Sequence, residues 1–383
     1  MADTTPAAAA PTQDENSLVP DTVTKYQTAA DIANRALTKV IEAAVAGASV
    51  HAVCKIGNDT ILEGTKAVYA KKKDMLKGIA FPTCVSPASV ICHLSPIEQD
   101  AASVALLKEG DVVRIELGAH IDGYAAMAAH TIVIGASKSA PVTGKKADLL
   151  TAAHVATEAA LRLLKPGNTN YQITDMITKV AEEYGVKPVQ GMQSYQLQRN
   201  SIAGATTKRI ILAPTPQNRK EVPSVEFAEG DVFSLDIVLS TGEGIPKYNG
   251  EGNRTTVFRK TDYTFGLKTT AAKTAYSIIK KDFGEFPFSI TQFEDETKAK
   301  MGMTECQKVG LVEPYHCCYE KEGEDTVHVI LTVLLMPNGP LKITGVAWDA
   351  ELVKSEVELK DESIKELLKL PVRNANKKKK AAK

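Results

Sequence analysis

The sequence predicts an α/β protein built from two related halves. Three observations support this prediction: long segments with apolar residues at helical spacing, short apolar runs typical of strands, and an internal repeat at an offset of 120 residues. A chain of 383 residues is long enough for two lobes or one large domain. Apolar residues make up 44% of the chain and charged residues 24%, as in ordinary globular proteins.

The first helix is predicted after a disordered N-terminus. Residues 1–19 are small, polar and aperiodic, which predicts disorder. Thr24 and Gln27 have the spacing of a capping box that would start the helix. Gly47 ends a run in which apolar residues recur at intervals of three and four, namely Ala29, Ala33, Ala36, Leu37, Val40, Ile41 and Ala44.

Further elements follow from the same patterns. Helical spacing over 149–164 and 171–184 predicts two helices separated by Lys165-Pro166-Gly167. Short apolar runs predict strands at 112–117, 232–239 and 327–336, the last of them followed by a Pro-Asn-Gly-Pro turn.

The internal repeat aligns residues 107–116 with residues 227–236. Both copies contain Glu-Gly-Asp-Val, then an apolar strand with one acid, Glu116 or Asp236. A single copy would be an ordinary strand-entry turn, but two copies with the acid in register predict a duplicated domain with both carboxylates at one central site. Residues 259–310 have no counterpart in the first half, which predicts a helical insertion in the second half.

The C-terminal end differs in charge from the rest of the chain. We expect one domain over 20–350, a helical segment over 351–370 and a disordered basic tail over 371–383. The whole chain has a net charge of zero, but without its last fifteen residues it has a net charge of −7. The last fifteen residues contain no acid and seven bases: Lys369, Arg373, Lys377, Lys378, Lys379, Lys380 and Lys383.

The cysteines and the apolar segments indicate the kind of cellular compartment. Six cysteines without a Cys-x-x-Cys pair do not predict a disulfide framework, so we expect a reducing compartment. Residues 1–16 lack the basic start and apolar core of a signal peptide. No apolar run reaches ~18 residues, so no membrane partner is expected.

Paired carboxylates with nearby histidines suit a two-metal hydrolytic site. A series of motifs follows along the chain: Phe81-Pro82-Thr83, Val90-Ile91-Cys92-His93, Val113 to His120, Gly191, Ser234-Leu235-Asp236 and Ser240 to Gly244. Their order over about 20–350 resembles type II methionine aminopeptidases. That resemblance implies the pita-bread fold and a dinuclear metal centre held by two Asp, one His and two Glu, with a catalytic His ahead of the first Asp.

Most of the implied ligands are replaced here. We therefore predict a pseudoenzyme with no catalytic residue, no metal and no cofactor. Glu116 and Asp236 are expected to be hydrogen-bonded to backbone, and His93 to be structural. The substrate-side histidine position is Asn200. Met127 stands in the position of the second Asp ligand, Met192 in that of the His ligand and Ile330 in that of the last acid. We call these three residues, together with His93, Glu116 and Asp236, the vestigial pocket.

A second resemblance rests on longer strings: Val23 to Tyr26, Asp31 to Arg35, Lys77 to Thr83, Phe293 to Glu296, Tyr319 to Glu324 and Thr332 to Pro340. They resemble the proliferation-associated and fungal curved-DNA-binding family, metal-less relatives of those aminopeptidases. The resemblance implies binding to the large ribosomal subunit or its precursor, to rRNA, and in the fungal branch to curved DNA, with localisation in nucleus, nucleolus and cytoplasm.

Two basic clusters are candidates for phosphate contact, because each Lys or Arg on a phosphate releases condensed counterions. The tail could instead be a solubilising segment or a nuclear-localisation signal. The insertion lysines could instead be the solvated face of a helix whose Ala272, Tyr276 and Ile279 pack inward. The candidates are Arg373, Lys377, Lys378, Lys379, Lys380 and Lys383 in the tail, and Lys268, Lys273, Lys280 and Lys281 in the insertion.

The leading hypothesis is an inactive aminopeptidase-fold adaptor that binds nucleic acid and the large ribosomal subunit, with a pocket that could still hold a peptide segment. Three alternatives stay open: a nuclear protein that binds curved DNA, a residual metallo-aminopeptidase using Glu116, Asp236 and His93, and a protein adaptor whose tail only directs nuclear import.

Overall fold

A large antiparallel sheet and eight helices make up most of the computed structural model, which describes residues 16–99, 106–248 and 255–373. The helices are α1 (Pro20–Ala43), α2 (Val50–Ala67), α3 (Gly144–Leu163), α4 (Asn170–Glu183), α5 (Pro216–Glu221), α6 (Thr270–Ile278), α7 (Glu296–Lys308) and α8 (Glu362–Lys369).

The strands alternate with these helices along the chain. They are β1 (Lys77–Pro87), β2 (Val90–Cys92), β3 (Val112–Ile121), β4 (Tyr124–Val133), β5 (Lys187–Pro188), β6 (Gln193–Gln196), β7 (Arg209–Ile211), β8 (Val232–Ser240), β9 (Val257–Lys260), β10 (Phe288–Ser289), β11 (Val312–Tyr315), β12 (Cys318–Tyr319), β13 (Thr326–Met336) and β14 (Gly339–Lys342).

The large sheet joins two halves that meet at its centre. Its strand order is β1-β3-β4-β13-β8-β6-β7, with β14 beside β13 and β5 beside β8. The repeated strands β3 and β8 therefore flank the central β4–β13 pair from opposite sides, which confirms the predicted duplication. Apolar faces of α1 and α2 cover the first half, and those of α3, α4 and α8 cover the second. Each amphipathic helix thus buries its apolar face against one side of the sheet.

The first helix begins earlier than the capping-box pattern predicts. Pro20 occupies its first turn, where a missing N–H costs nothing and the fixed φ suits the helix. Thr24 consequently lies inside the helix, and its hydroxyl donates to the carbonyl of Pro20 at 2.8 Å. The capping-box prediction for Thr24 was wrong, because a Ser or Thr hydroxyl can equally bond a carbonyl four residues back.

The insertion contains more than helices. Besides α6 and α7 it contains a π-helical turn at 279–283 and a three-stranded sheet, β10-β9-β11. Since β9 and β11 begin and end this region, the insertion extends over 257–315 rather than the predicted 259–310. Its own apolar core includes Ala272 and Ile279, as the sequence indicates, together with Phe258, Phe288 and Met303.

The chain ends beside the second half. Ile364 of α8 is fully buried against α3 and the sheet, and Arg373 donates to the side chain of Asn338 at 2.6 Å. Lys377, Lys378, Lys379, Lys380 and Lys383 lie outside the described residues. Among the helices described, none combines the length and the apolar character that crossing a bilayer requires.

Candidate functional site

Four side chains form a row across the middle of the large sheet. Glu116 on β3 lies opposite Ala129 on β4, which lies opposite Ile330 on β13, which lies opposite Asp236 on β8. Directly opposed residues in adjacent strands share a face. The two repeat acids are thus brought to one site, as the duplication predicts, with two apolar residues between them.

Asp236 is paired with a histidine from the central strand. Nε2 of His328 lies 3.0 Å from Oδ1 of Asp236, and the His328 side chain is only 2% exposed. Burial alone would lower the pKa of His328, but the Asp236 carboxylate outweighs it, so the pKa is raised above its usual value. The expectation that the Asp236 carboxylate bonds backbone was wrong: it forms an ion pair with His328.

Glu116 lies deeper than Asp236. Oε1 of Glu116 is 3.9 Å from Nε2 of His93, and Oε2 is buried without a hydrogen-bond partner. Burial raises the pKa of Glu116, while His93 and His328 act in the opposite direction. His93 itself has a left-handed backbone (φ +65°), and its Nδ1 lies 3.1 Å from the carbonyl of His316.

Apolar side chains fill the space around these acids. Met127 and Ile330 are 4% and 2% exposed, and they belong to one apolar cluster with Phe81, Phe286 and the partly buried Tyr315. The Met127 sulfur lies over Gly118: a Cβ at that glycine would be 2.5 Å from Sδ. The insertion contributes Phe286, so it helps to close the vestigial pocket.

Met192 lies in a separate cluster. Its neighbours there are the buried residues Ile91, Cys92, Val189, Leu212, Val238 and Cys318. Asn200, in the other histidine position, is exposed at a turn with φ +62°, and its backbone N–H donates to Gly123.

The donor set does not fit the dinuclear metal centre that the resemblance implies. Two hard dications need several oxygen and imidazole ligands that converge on each ion. Here His328 is bonded to Asp236, and Met127 and Ile330 stand where ligands would be. Within the described ranges, no three His, Cys, Asp or Glu side chains are grouped so that they could hold a metal ion.

The Ser240 to Gly244 motif has a structural role in this molecule. The buried carboxylate of Glu320 accepts from the hydroxyl of Ser240 at 2.6 Å and from the backbone N–H of Gly244 at 3.0 Å. The hydroxyl of Thr241 donates to Glu324 at 2.6 Å. The motif therefore ties the loop after β8 to the loop before β13.

Comparison with known proteins agrees with this architecture. The family model described as "Metallopeptidase family M24" matches residues 24–235. The chain is 39% identical to a "Curved DNA-binding protein" of Schizosaccharomyces pombe, with coverage of 95% of this chain and 94% of that one. It is also 39% identical to "Proliferation-associated protein A" of Dictyostelium discoideum, with coverage of 95% and 92%.

The chain belongs to metallopeptidase family M24, in its curved-DNA-binding and proliferation-associated branch. Among solved structures, a thermophilic Arx1 superposes with a TM-score of 0.86 at 30% identity, covering 93% of this chain and 100% of that one. A methionine aminopeptidase of Thermotoga maritima has a TM-score of 0.55 at 16% identity, covering 86% and 98%, and supports the pita-bread fold alone.

In this M24 protein the four insertion lysines lie in the loop before α6, on α6 and in the π-helical turn that follows it. Lys268, Lys273, Lys280 and Lys281 are all exposed, and within the described ranges none of them forms a salt bridge. Nζ of Lys280 lies 5.2 Å from the centre of the Tyr276 ring. We call these four residues the lysine face. By contrast, the neighbouring bases are neutralised, since Arg259 pairs with Glu313 and Lys260 with Glu285.

Two exposed aromatics beside the lysine face were missed in the sequence. Tyr263 and Phe265 are 60% and 50% exposed, in the loop that leads into α6. The carboxylate of Glu305 on α7 holds the end of this loop: it accepts from the backbone N–H groups of Lys268 and Thr269 at 2.6 and 3.0 Å and from the Thr269 hydroxyl at 2.6 Å. Alternating aromatics next to a lysine could have suggested this surface.

The cleft between the insertion and the first half is acidic. It has a volume of about 1200 Å³ and separates the insertion from α2 and from the start of β1. Three lysines (Lys55, Lys77 and Lys298) and six acids (Asp59, Glu98, Asp282, Glu294, Asp295 and Glu296) line it. The cleft and the lysine face in this M24 protein therefore differ in charge, and of these two surfaces the lysine face suits a polyanion.

Proposed function

We propose that this M24 protein is a non-hydrolytic adaptor that binds nucleic acid, and through rRNA the large ribosomal subunit or its precursor. The observation that carries the proposal is the lysine face, whose four exposed lysines form no salt bridge within the described residues. Since the chain outside the basic C-terminal segment is acidic, contact with a polyanion has to be local, and the lysine face is such a place.

The chemistry of the surface favours single-stranded or irregular RNA. Lysines neutralise phosphates without reading sequence, and exposed aromatic rings can stack on unpaired bases. Tyr263 and Phe265 would supply the stacking and the lysine face the charge. The resemblance to the proliferation-associated family, which implies a ribosomal partner, supports this choice.

Curved DNA is the second candidate. It is favoured by the name of the Schizosaccharomyces pombe relative, which is 39% identical to this chain. Lysines on one face could follow the backbone of DNA that is already bent, so that little bending energy has to be supplied on binding.

Charge reversal of the lysine face tests both candidates. In Lys273→Glu combined with Lys280→Glu, we expect weaker binding to a fragment of large-subunit rRNA. The slope of log K against log salt should decrease by roughly 1.4–1.8. The matched control is Lys145→Glu with Lys165→Glu, two exposed lysines of the second half. If the salt slope of the Lys273→Glu, Lys280→Glu variant equals that of the wild type, the lysine face does not contact the nucleic acid. Competition with a phased A-tract duplex at physiological salt separates RNA from DNA.

The absence of aminopeptidase activity is part of the proposal. The donor set around Glu116 and Asp236 supports it, because apolar side chains occupy the positions between and beside these acids. Purified protein with added cobalt or manganese should release no methionine from a Met-Ala-Ser peptide, and metal analysis should find no stoichiometric metal. Turnover with about two bound metals would instead establish a residual metallo-aminopeptidase.

The pocket and the tail raise two further proposals. A peptide could enter the vestigial pocket only by displacing Phe286 and Tyr315, which pack with Met127 and Ile330. The tail, with Lys377 to Lys380, would add phosphate contacts or direct nuclear import, consistent with a protein of nucleus, nucleolus and cytoplasm. A tail-deleted protein that stays cytoplasmic yet binds rRNA normally would favour the import role.

A further inference from the structure

Two buried cysteines from distant parts of the chain lie side by side. Cys92 ends β2 and Cys318 begins β12, and the two residues are paired across the small antiparallel sheet that these strands form. Their sulfur atoms are 3.3 Å apart, and each residue is 1% exposed. In sequence they are 226 positions apart, so the contact joins the first half to the segment that follows the insertion.

The geometry is close to that of a disulfide. A disulfide needs a sulfur–sulfur distance of about 2.05 Å and Cβ atoms about 3.5–4.5 Å apart. Opposed residues of antiparallel strands already have Cβ atoms about 4.5–5.5 Å apart. Closing the remaining gap requires a rotation about χ1 and a small approach of two short strands.

The other cysteines contact carbonyl oxygens instead. The thiol of Cys317 donates to the carbonyl of His93 at 3.2 Å, and that of Cys54 lies 3.8 Å from the carbonyl of Leu94. Cys84 and Cys306 have carbonyl contacts of 3.5 and 3.9 Å. Cys92 and Cys318 are thus the described pair whose sulfur atoms touch each other.

We propose that Cys92 and Cys318 form a reversible disulfide when the protein meets a hydroperoxide such as hydrogen peroxide. One thiolate attacks the peroxide oxygen, the O–O bond breaks, and a sulfenic acid and hydroxide form. The second thiol then attacks the sulfenic sulfur and releases water. In total two thiols lose two electrons and two protons to one peroxide, which becomes two waters.

The oxidant can reach the pair through a local opening. The β2–β12 sheet consists of two residue pairs only, Cys92 with Cys318 and Val90 with Tyr319. Short pairings of this kind open at a small fraction of the free energy of global unfolding. The neighbouring Cys318 thiol and burial raise the pKa of Cys92, so the reaction is slow and favours sustained oxidative conditions.

Oxidation would fix the part of the molecule that faces the vestigial pocket. His93 directly follows Cys92, and β12 follows β11, the strand by which the chain returns from the insertion. Met192 packs against the same pair. A disulfide here links the segment that follows the insertion covalently to the first half and removes many conformations from the unfolded chain.

Mass spectrometry of the full-length protein treated with hydrogen peroxide tests the proposal. We expect a loss of two hydrogen masses, a non-reduced tryptic species that joins residues 78–108 to residues 309–321, a higher midpoint of thermal unfolding, and full reversal by dithiothreitol. Cys318→Ser and, independently, Cys92→Ser should abolish the linked species, whereas the adjacent Cys317→Ser should retain it.

The controls separate this disulfide from other oxidation. A linked species that survives in Cys318→Ser but disappears in Cys317→Ser would assign the bridge to Cys317 and overturn the proposal. So would sulfinic acid on Cys92 without any linked species. Circular dichroism of each variant before oxidation shows that it is folded, and the two single variants of the pair provide independent readings.

Discussion

Asp236 and His328 form the ion pair that determines the charge at the candidate site. The raised pKa of His328 means that folding favours its protonated form, so this stabilisation is fully present below the unfolded pKa of about 6.5. It is lost as the pH rises through the folded pKa. The pair links β8 to β13 and so connects the repeat acid to the strand at the centre of the sheet.

Asp236→Asn should reverse the behaviour of His328. With the carboxylate gone, burial dominates, and the pKa of His328 should fall below its usual value. The variant should lose on the order of 2–3 kcal/mol of unfolding free energy at about pH 6, and less at alkaline pH. Urea unfolding at several pH values and histidine-selective NMR measure both effects, with half-buried His154 as the internal control. A His328 pKa that does not change in Asp236→Asn would contradict the assigned ion pair.

Glu116 should behave in the opposite way to Asp236. Because burial raises its pKa, the charged form opposes folding, and stability falls as the pH rises from about 4.5 through the folded pKa. We expect Glu116→Gln to raise the thermal midpoint at neutral pH and to lose this advantage in acid. Exposed Glu63→Gln is the control. A Glu116→Gln variant less stable than wild type at every pH would argue against a buried, partly unsatisfied carboxylate.

At the scale of elements, Glu305 connects α7 to the start of α6. The hydrogen bonds that its carboxylate accepts from the Thr269 hydroxyl and from the backbone N–H groups of Lys268 and Thr269 lower its pKa. Their stabilisation is therefore present above the unfolded pKa and is lost as the pH falls through the folded pKa. Glu305→Ala should speed amide hydrogen exchange at 268–272 and weaken RNA binding, because the lysine face would lose its fixed N-terminal end. Glu294→Ala, an exposed acid of the same insertion, should change neither. Equal exchange rates in both variants would contradict this role.

Sequence patterns predicted some of the helices and strands but not others. Helical spacing was enough for α3 and α4, and the apolar runs were enough for β3, β8 and β13, because each is long and buries one regular face. Strands β9, β10 and β11 have two to four residues, which is too short to show a period, so the insertion looked purely helical. His328 could have been found: it lies two residues before Ile330, so strand alternation puts both on one face.

The partners of these residues could not be read from the sequence. That Asp236 bonds His328 rather than backbone, and that Phe286 packs with Met127, depends on contacts between segments far apart in the chain. The cleft and the lysine face likewise differ in charge only because folding brings Asp282 and Glu294 to Asp59 of α2. Local composition therefore located the lysines, and the tertiary structure determined which of the described ones form salt bridges.

At the scale of the whole molecule, the lysine face and the tail are two separate sources of positive charge on an otherwise acidic chain. Deleting residues 374–383 removes five lysines. If all five contact phosphates, the slope of log K against log salt should decrease by up to ~3.5–4.5, on top of the decrease caused by the lysine-face variant. Combining both changes should give additive losses, because the sites are independent. Fluorescence anisotropy with the rRNA fragment over a salt series measures each slope. An unchanged slope after the deletion would leave the tail with no phosphate contact and the lysine face as the sole electrostatic anchor.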